Sequence, residues 1–222
     1  HHETRDGNEN PFIAFRNRSF TRLAIFFLTW NFALGIARPF YSVYMLNHLK
    51  ISYTSVAIFN SIFMIVMVFG YKVMGGLVDR YGSKAVLNIL LPPTILTPIL
   101  WTFSSPDWYW FIPLAMALNG LLHAGIITST SSLLYSTIPE DSNKTTYFAA
   151  WSTAIQLAYA LSPLLGSYLV EAFRPYTFEW MGFAIGNIQL VFLCSSGAVF
   201  IPILLLPIVQ DAKSASTREL LS

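Results

Sequence analysis

The chain has 222 residues, 55% of them hydrophobic, 16% aromatic and 11% charged. Soluble domains carry about 25% charged residues, so most of this surface does not face water. A formal net charge of +2 without a basic stripe argues against a nucleic-acid partner. The single cysteine, Cys194, excludes an internal disulfide and leaves no basis for a metal site.

Residues 1–22 are polar, with Pro11 and a basic cluster through Arg22, and read as a cytoplasmic linker or surface segment. Six predominantly apolar stretches follow, over 23–46, 56–74, 85–103, 108–135, 145–170 and 181–209. Each approaches the roughly 20 residues a helix needs to cross about 30 Å of hydrocarbon. Backbone groups in hydrocarbon must pair within their own segment, so these stretches are expected to be helices. Pro92, Pro93 and Pro98 should bend the third, and Pro39 should kink the first. Residues 210–222 read as a short cytoplasmic tail. An all-α integral membrane fold with six transmembrane helices is therefore expected.

Charge sets the orientation. With both termini inside, Arg5, Arg16, Arg18, Arg22, Lys72, Arg80, Lys84, Lys144, Lys213 and Arg218 fall on the inner side. Only Lys50 and Arg174 fall outside, and Arg38 lies within the first stretch. That asymmetry follows the positive-inside rule and predicts a multi-pass protein of the cell membrane. The sequons Asn17-Arg18-Ser19 and Asn143-Lys144-Thr145 both fall inside and should stay unmodified.

Between the second and third stretches runs Gly75-Gly76-Leu77-Val78-Asp79-Arg80-Tyr81-Gly82-Ser83-Lys84. In chemical terms, Gly75 is placed to end a helix and Gly82 to turn with positive φ. Asp79 is suited to receive N–H groups of a neighbouring helix start, and Arg80 and Lys84 to bridge acidic groups or lipid phosphates. The run resembles the signature loop of the major facilitator superfamily, Gly-x-x-x-Asp-Arg/Lys-x-Gly-x-Arg/Lys. Gly75, Asp79, Arg80, Gly82 and Lys84 match it, and Ser83 departs where many members carry a further basic residue. The entry around Trp30-Asn31-Phe32-Ala33 and Pro39-Phe40-Tyr41, and the bend Ser162-Pro163-Leu164-Leu165-Gly166, resemble the seventh and eleventh helices of such transporters.

The resemblance implies two inverted three-helix repeats, forming the C-terminal half of a twelve-helix parent. It further implies transport of a small solute by alternating access, secondary active or facilitative, with the Asp79 loop as a conformational latch. The expected partners are membrane lipid, the small-molecule solute, and either the missing N-terminal six-helix half or a second copy. No cofactor is expected. On this analogy spans one, two, four and five line the solute pathway, while three and six support them.

Arg38 is the sharpest candidate there, because an Arg inside a span is costly unless paired or wet. Asn31, seven residues earlier, and Tyr41 extend its helical stripe. Asn119 with His123 forms an i, i+4 pair on the fourth stretch. Gln156 with Tyr159 on the fifth and Asn60 on the second complete the candidate set. Each has a plain alternative as an interhelical hydrogen bond worth about 1 kcal/mol or less. All eleven acidic residues fall in tails, loops or span ends, so a proton-carrying carboxylate would have to lie elsewhere.

Rival readings are weaker. The membrane domain of an ATP-driven exporter would need a phosphate loop from another subunit. Pro139-x-Asp141-x-x-Lys144 matches the mitochondrial-carrier signature once, where three copies are needed. No Ser/His dyad, paired carboxylates or ligand cluster within the stretches points to an enzyme. A membrane sensor or scaffold, or a half-transporter acting as a homodimer, are the remaining alternatives.

Overall fold

A computed structural model describes residues 11–180 and 182–210. It holds six helical rods long and apolar enough to cross a membrane. Span 1 is Arg18–His48, span 2 Tyr53–Tyr81, span 3 Ser83–Thr102, span 4 Phe111–Thr137, span 5 Lys144–Ala172 and span 6 Asn187–Ile208.

Polar residues just outside the apolar stretches start these helices. Asn17 caps span 1, its Oδ1 accepting from the N–H groups of Ser19 and Phe20 at 3.0 and 3.2 Å. Ser52 caps span 2 by accepting from the N–H of Ser55, and Asn143 caps span 5 by accepting from that of Thr145. Such caps satisfy N–H groups that the helix itself leaves unpaired.

Three spans are broken where the sequence carries proline or needs room. Span 1 is α-helical over Arg18–Gly35 and again over Arg38–Val43, then closes on a π-helical turn, Tyr44–His48. Pro39 sits in the first turn of the second piece, where its missing N–H costs least. Span 3 passes through a 3-10 turn at Pro92–Ile95, as its prolines predict. Span 6 breaks between Ala198 and Phe200. Pro163, by contrast, lies inside the unbroken helix of span 5.

The packing repeats itself. Span 1 lies along span 5 and span 2 along span 4; span 3 packs on span 4, span 6 on span 1, and spans 3 and 6 meet. Exchanging spans 1–3 with spans 4–6 maps this pattern onto itself. Because each repeat has an odd number of crossings, the second enters from the opposite side, which makes the repeats inverted.

Small residues permit the close crossings. A Cβ at Gly166 of span 5 would collide with the carbonyl oxygen of Ile36 in span 1, and one at Gly35 with the Ser162 hydroxyl. At the matching crossing, a Cβ at Gly120 would lie 2.5 Å from the Phe63 carbonyl oxygen, and one at Gly70 2.9 Å from Ala124 Cβ. Without a hydrophobic drive between helices in lipid, such approach supplies the packing energy. Hydroxyls add stitches. Ser195 donates to the Ala33 carbonyl at 2.7 Å and Ser196 to that of Ile95 at 2.8 Å, tying span 6 to spans 1 and 3.

Several expected boundaries change. Residues expected as linker up to position 22 include the start of span 1 and a 3-10 turn, Pro11–Arg16, that packs on span 5. Phe15 and Phe20 anchor it, with Phe20 edge-on to Tyr147 at 5.1 Å. Span 6 starts at Asn187 rather than 181. The apolar residues before it form a hairpin of Phe178–Trp180 with Phe183–Ile185, turned at Gly182 with φ 83°. Arg5, Lys213 and Arg218, and the tail beyond Gln210, lie outside the described residues.

Candidate functional site

Spans 1, 2 and 4 line an open-sided cavity of about 490 Å³. Span 1 supplies Arg38, Tyr41, Ser42 and Met45, span 2 supplies Asn60, Phe63, Met67 and Tyr71, and span 4 supplies Met116, Asn119, His123 and Ile127. On spans 2 and 4 the lining residues follow one another at steps of three, four and four, the stripe that a helix turns to one side. Span 5, expected among the lining spans, contributes none of these side chains; spans 3 and 6 contribute none either and pack behind, through Trp101 and Phe192.

Arg38 occupies the open side of the cavity. Its guanidinium lies over the Tyr159 ring of span 5, 5.1 Å from the centroid. No acidic side chain pairs with it among the described residues, and no described Asp or Glu lines the cavity. Tyr41 is held from behind, stacked on Trp101 at 4.4 Å and tilted against Phe192 at 5.0 Å. His123 lies between two rings, Trp30 at 5.3 Å and Phe63 at 6.0 Å. These rings fix the imidazole by shape and leave its nitrogens without a hydrogen-bond partner among the described residues.

The structure thus gathers Arg38, Tyr41, Asn60, Asn119 and His123 around one space, with Tyr159 bracing Arg38. It leaves two candidates elsewhere. Asn31 is buried, its amide donating to the Phe27 carbonyl at 2.8 Å, and the break after Gly35 separates it from Arg38's stripe. Gln156 is exposed on span 5 and does not line the cavity. Ser42, Met45, Phe63, Met67, Tyr71, Met116 and Ile127 were not foreseen. Extending the stripe from Asn60 by helical steps marks Phe63, Met67 and Tyr71, and doing so from Asn119 marks Met116 and Ile127.

The glycine–aspartate run differs from expectation in its backbone. Gly75 does not end a helix: span 2 continues through Gly75, Gly76, Asp79 and Arg80 to Tyr81. Gly82 alone makes the turn, with φ 83° and ψ 154°, and span 3 begins at once. Asp79 is exposed and accepts no hydrogen bond among the described residues, so it does not cap the adjoining helix. Arg80 rests over the Tyr81 ring at 5.2 Å. Lys84 donates to the carbonyl oxygens of Pro207 and Val209, at 3.0 and 2.7 Å, bracing the end of span 6.

Six apolar rods, inverted three-helix repeats and a hollow lined by polar groups between helices define a multi-pass membrane transport protein. The model of the Major Facilitator Superfamily matches residues 23–219, and the chain belongs to that family. Its general function is accordingly membrane transport of a small solute. No curated protein matches the chain.

Proposed function

We propose that this chain is the C-terminal six-helix half of a twelve-helix transporter working by alternating access in the cell membrane, with both termini cytoplasmic. The solute rests in the cavity of Arg38, Tyr41, Asn60, Asn119 and His123, covered by the other half of the same parent or by a second copy. One observation carries this reading: Arg38, Asn60 and Tyr71 line the cavity yet are exposed in this bundle, so its open side needs a covering body. Span 2, which forms part of that side, has only 11% of its most apolar stretch buried.

In the same reading Asp79 and Arg80, exposed at the end of span 2, latch onto the covering half when the inner side is shut. Lys84 serves the bundle itself by holding span 6. The partner of Asp79 then lies outside this chain's described residues, in keeping with its lack of one within them.

The cycle can be tested without knowing the solute. In the full-length native protein, reconstituted in vesicles with Cys194→Ser, single cysteines at Asn60 and Asn119 should react with impermeant thiol reagents added from either side. Asp79→Asn should raise labelling from the inner side while leaving the amount of inserted protein unchanged. Labelling confined to one side under every condition would sink alternating access, and an unshifted balance in Asp79→Asn would remove the latch.

A further inference from the structure

We infer that the cavity takes an organic monoanion, a carboxylate-type head on an apolar or aromatic body, with Arg38 as the residue that receives the head. The inference rests on the preceding reading only in placing the transported solute in this cavity.

The argument begins with what Arg38 lacks. A permanent cation within a span is costly unless compensated, and no acidic side chain among the described residues compensates this one. Its neighbour among the described residues is the Tyr159 ring, whose centroid lies 5.1 Å from the guanidinium carbon. The contact is a cation–π one, and none of the guanidinium N–H donors makes a hydrogen bond among the described residues. Those donors form a fork that matches two carboxylate oxygens side by side. The ring therefore braces the guanidinium while its N–H donors stay available to a ligand.

The remaining lining decides between classes of ligand. With no described Asp or Glu in the cavity, an amine would meet Arg38 as a like charge with nothing to offset it. A neutral polyol would meet the hydroxyl and amide groups of Tyr41, Ser42, Asn60, Tyr71 and Asn119, but it would leave the Arg38 charge unmatched and would set hydroxyls against the apolar wall of Met45, Phe63, Met67, Met116 and Ile127. That wall fits a hydrocarbon or aromatic body, and the flexible thioethers adapt to more than one shape. A bare inorganic anion would leave it unfilled. The volume of about 490 Å³ lies within the roughly 300–1,000 Å³ of small-molecule sites.

The test uses the full-length native protein purified in mild detergent, with benzoate, phenylacetate and octanoate as probes. Each is compared with its own primary amide and amine, which keep the body and change the charge. The carboxylates should raise the thermal unfolding midpoint, and the amides and amines should not. Arg38→Gln should leave the ligand-free midpoint in place and weaken apparent carboxylate affinity at least about tenfold, equivalent to about 1.4 kcal/mol. Arg38→Lys should retain part of it. Should Arg38→Gln fail to fold, a cysteine at Met67 in otherwise unaltered protein replaces it: carboxylates should slow its alkylation and the matched amides should not.

Equal effects of amides or amines, a carboxylate effect that survives Arg38→Gln, or no effect from any carboxylate overturns the inference. Two-sided labelling of the Asn60 and Asn119 cysteines is read with no solute present, so the two conclusions fail separately. If labelling alternates while carboxylates do nothing, only the substrate class falls. If carboxylates bind through Arg38 while labelling stays one-sided, the transport cycle falls and the anion site stands.

Discussion

Spans 1 and 2 lie side by side in sequence and use the membrane in opposite ways. Span 2 is the more apolar of the two, an unbroken helix, and only 11% of its most apolar stretch is buried. Span 1 is less apolar, broken twice, and 67% buried. In water the more hydrophobic helix would be the core helix; in lipid the ranking inverts, because hydrocarbon solvates apolar side chains as well as protein does. The protein's interior is built from small residues, ring stacks and hydroxyl-to-carbonyl bonds instead.

One substitution made on each side should give opposite results. Gly166→Ala places a methyl group against the Ile36 backbone of span 1, which cannot swing aside as a side chain would. We expect a loss of about 1–3 kcal/mol, read as a lower unfolding midpoint in detergent. Gly76→Ala on span 2 meets nothing within 4 Å and lies inside a helix, so it should be neutral or stabilising by up to about 1 kcal/mol. Equal losses at both positions would break the contrast between the two spans.

Lys84→Met should give an intermediate result. It removes two donated bonds to the end of span 6, of which the one to Val209 is partly buried. About 1 kcal/mol of destabilisation is expected, with faster amide exchange in the last turn of span 6 as the local readout. Unchanged exchange there would detach Lys84 from span 6. The smallest effect belongs to Val68→Ala on span 2, 63% exposed and facing no other part of the bundle's core. Its unfolding midpoint should move by less than the equivalent of about 0.5 kcal/mol.

The six spans were legible in the sequence because a run of apolar residues of that length has few other uses. The errors came where an apolar or glycine residue did something local. Gly75 read as a helix end, yet the helix continues through it and Gly76, since interior glycines weaken but do not stop a helix that must pair its own backbone in lipid. Phe183 read as part of the sixth stretch, yet it pairs with Trp180 in a hairpin, both rings lying against Phe103. Of the cavity's polar lining, Arg38, Tyr41, Asn60, Asn119 and His123 were legible, while Ser42 and Tyr71 were not. The apolar lining was not, because Met67 or Met116 resembles any lipid-facing residue until the helix on the other side of it is known. Asn31 was misplaced for a related reason: its stripe assumed a straight helix, and span 1 changes course after Gly35.

The two helix caps at Asn17 and Asn143 bear on how the topology can be established. Each is the asparagine of a glycosylation sequon, and each holds its side-chain oxygen to backbone N–H groups at the start of a span. The Asn17 amide nitrogen, the atom a glycan would occupy, also donates to the Thr137 carbonyl at 3.2 Å. Sugar transfer to either site would compete with helix initiation whichever side of the membrane it faced. Bare asparagines at these positions are therefore silent about sidedness, and a glycan reporter in the loop at residues 104–110, which faces outward in the proposed orientation, is the informative one.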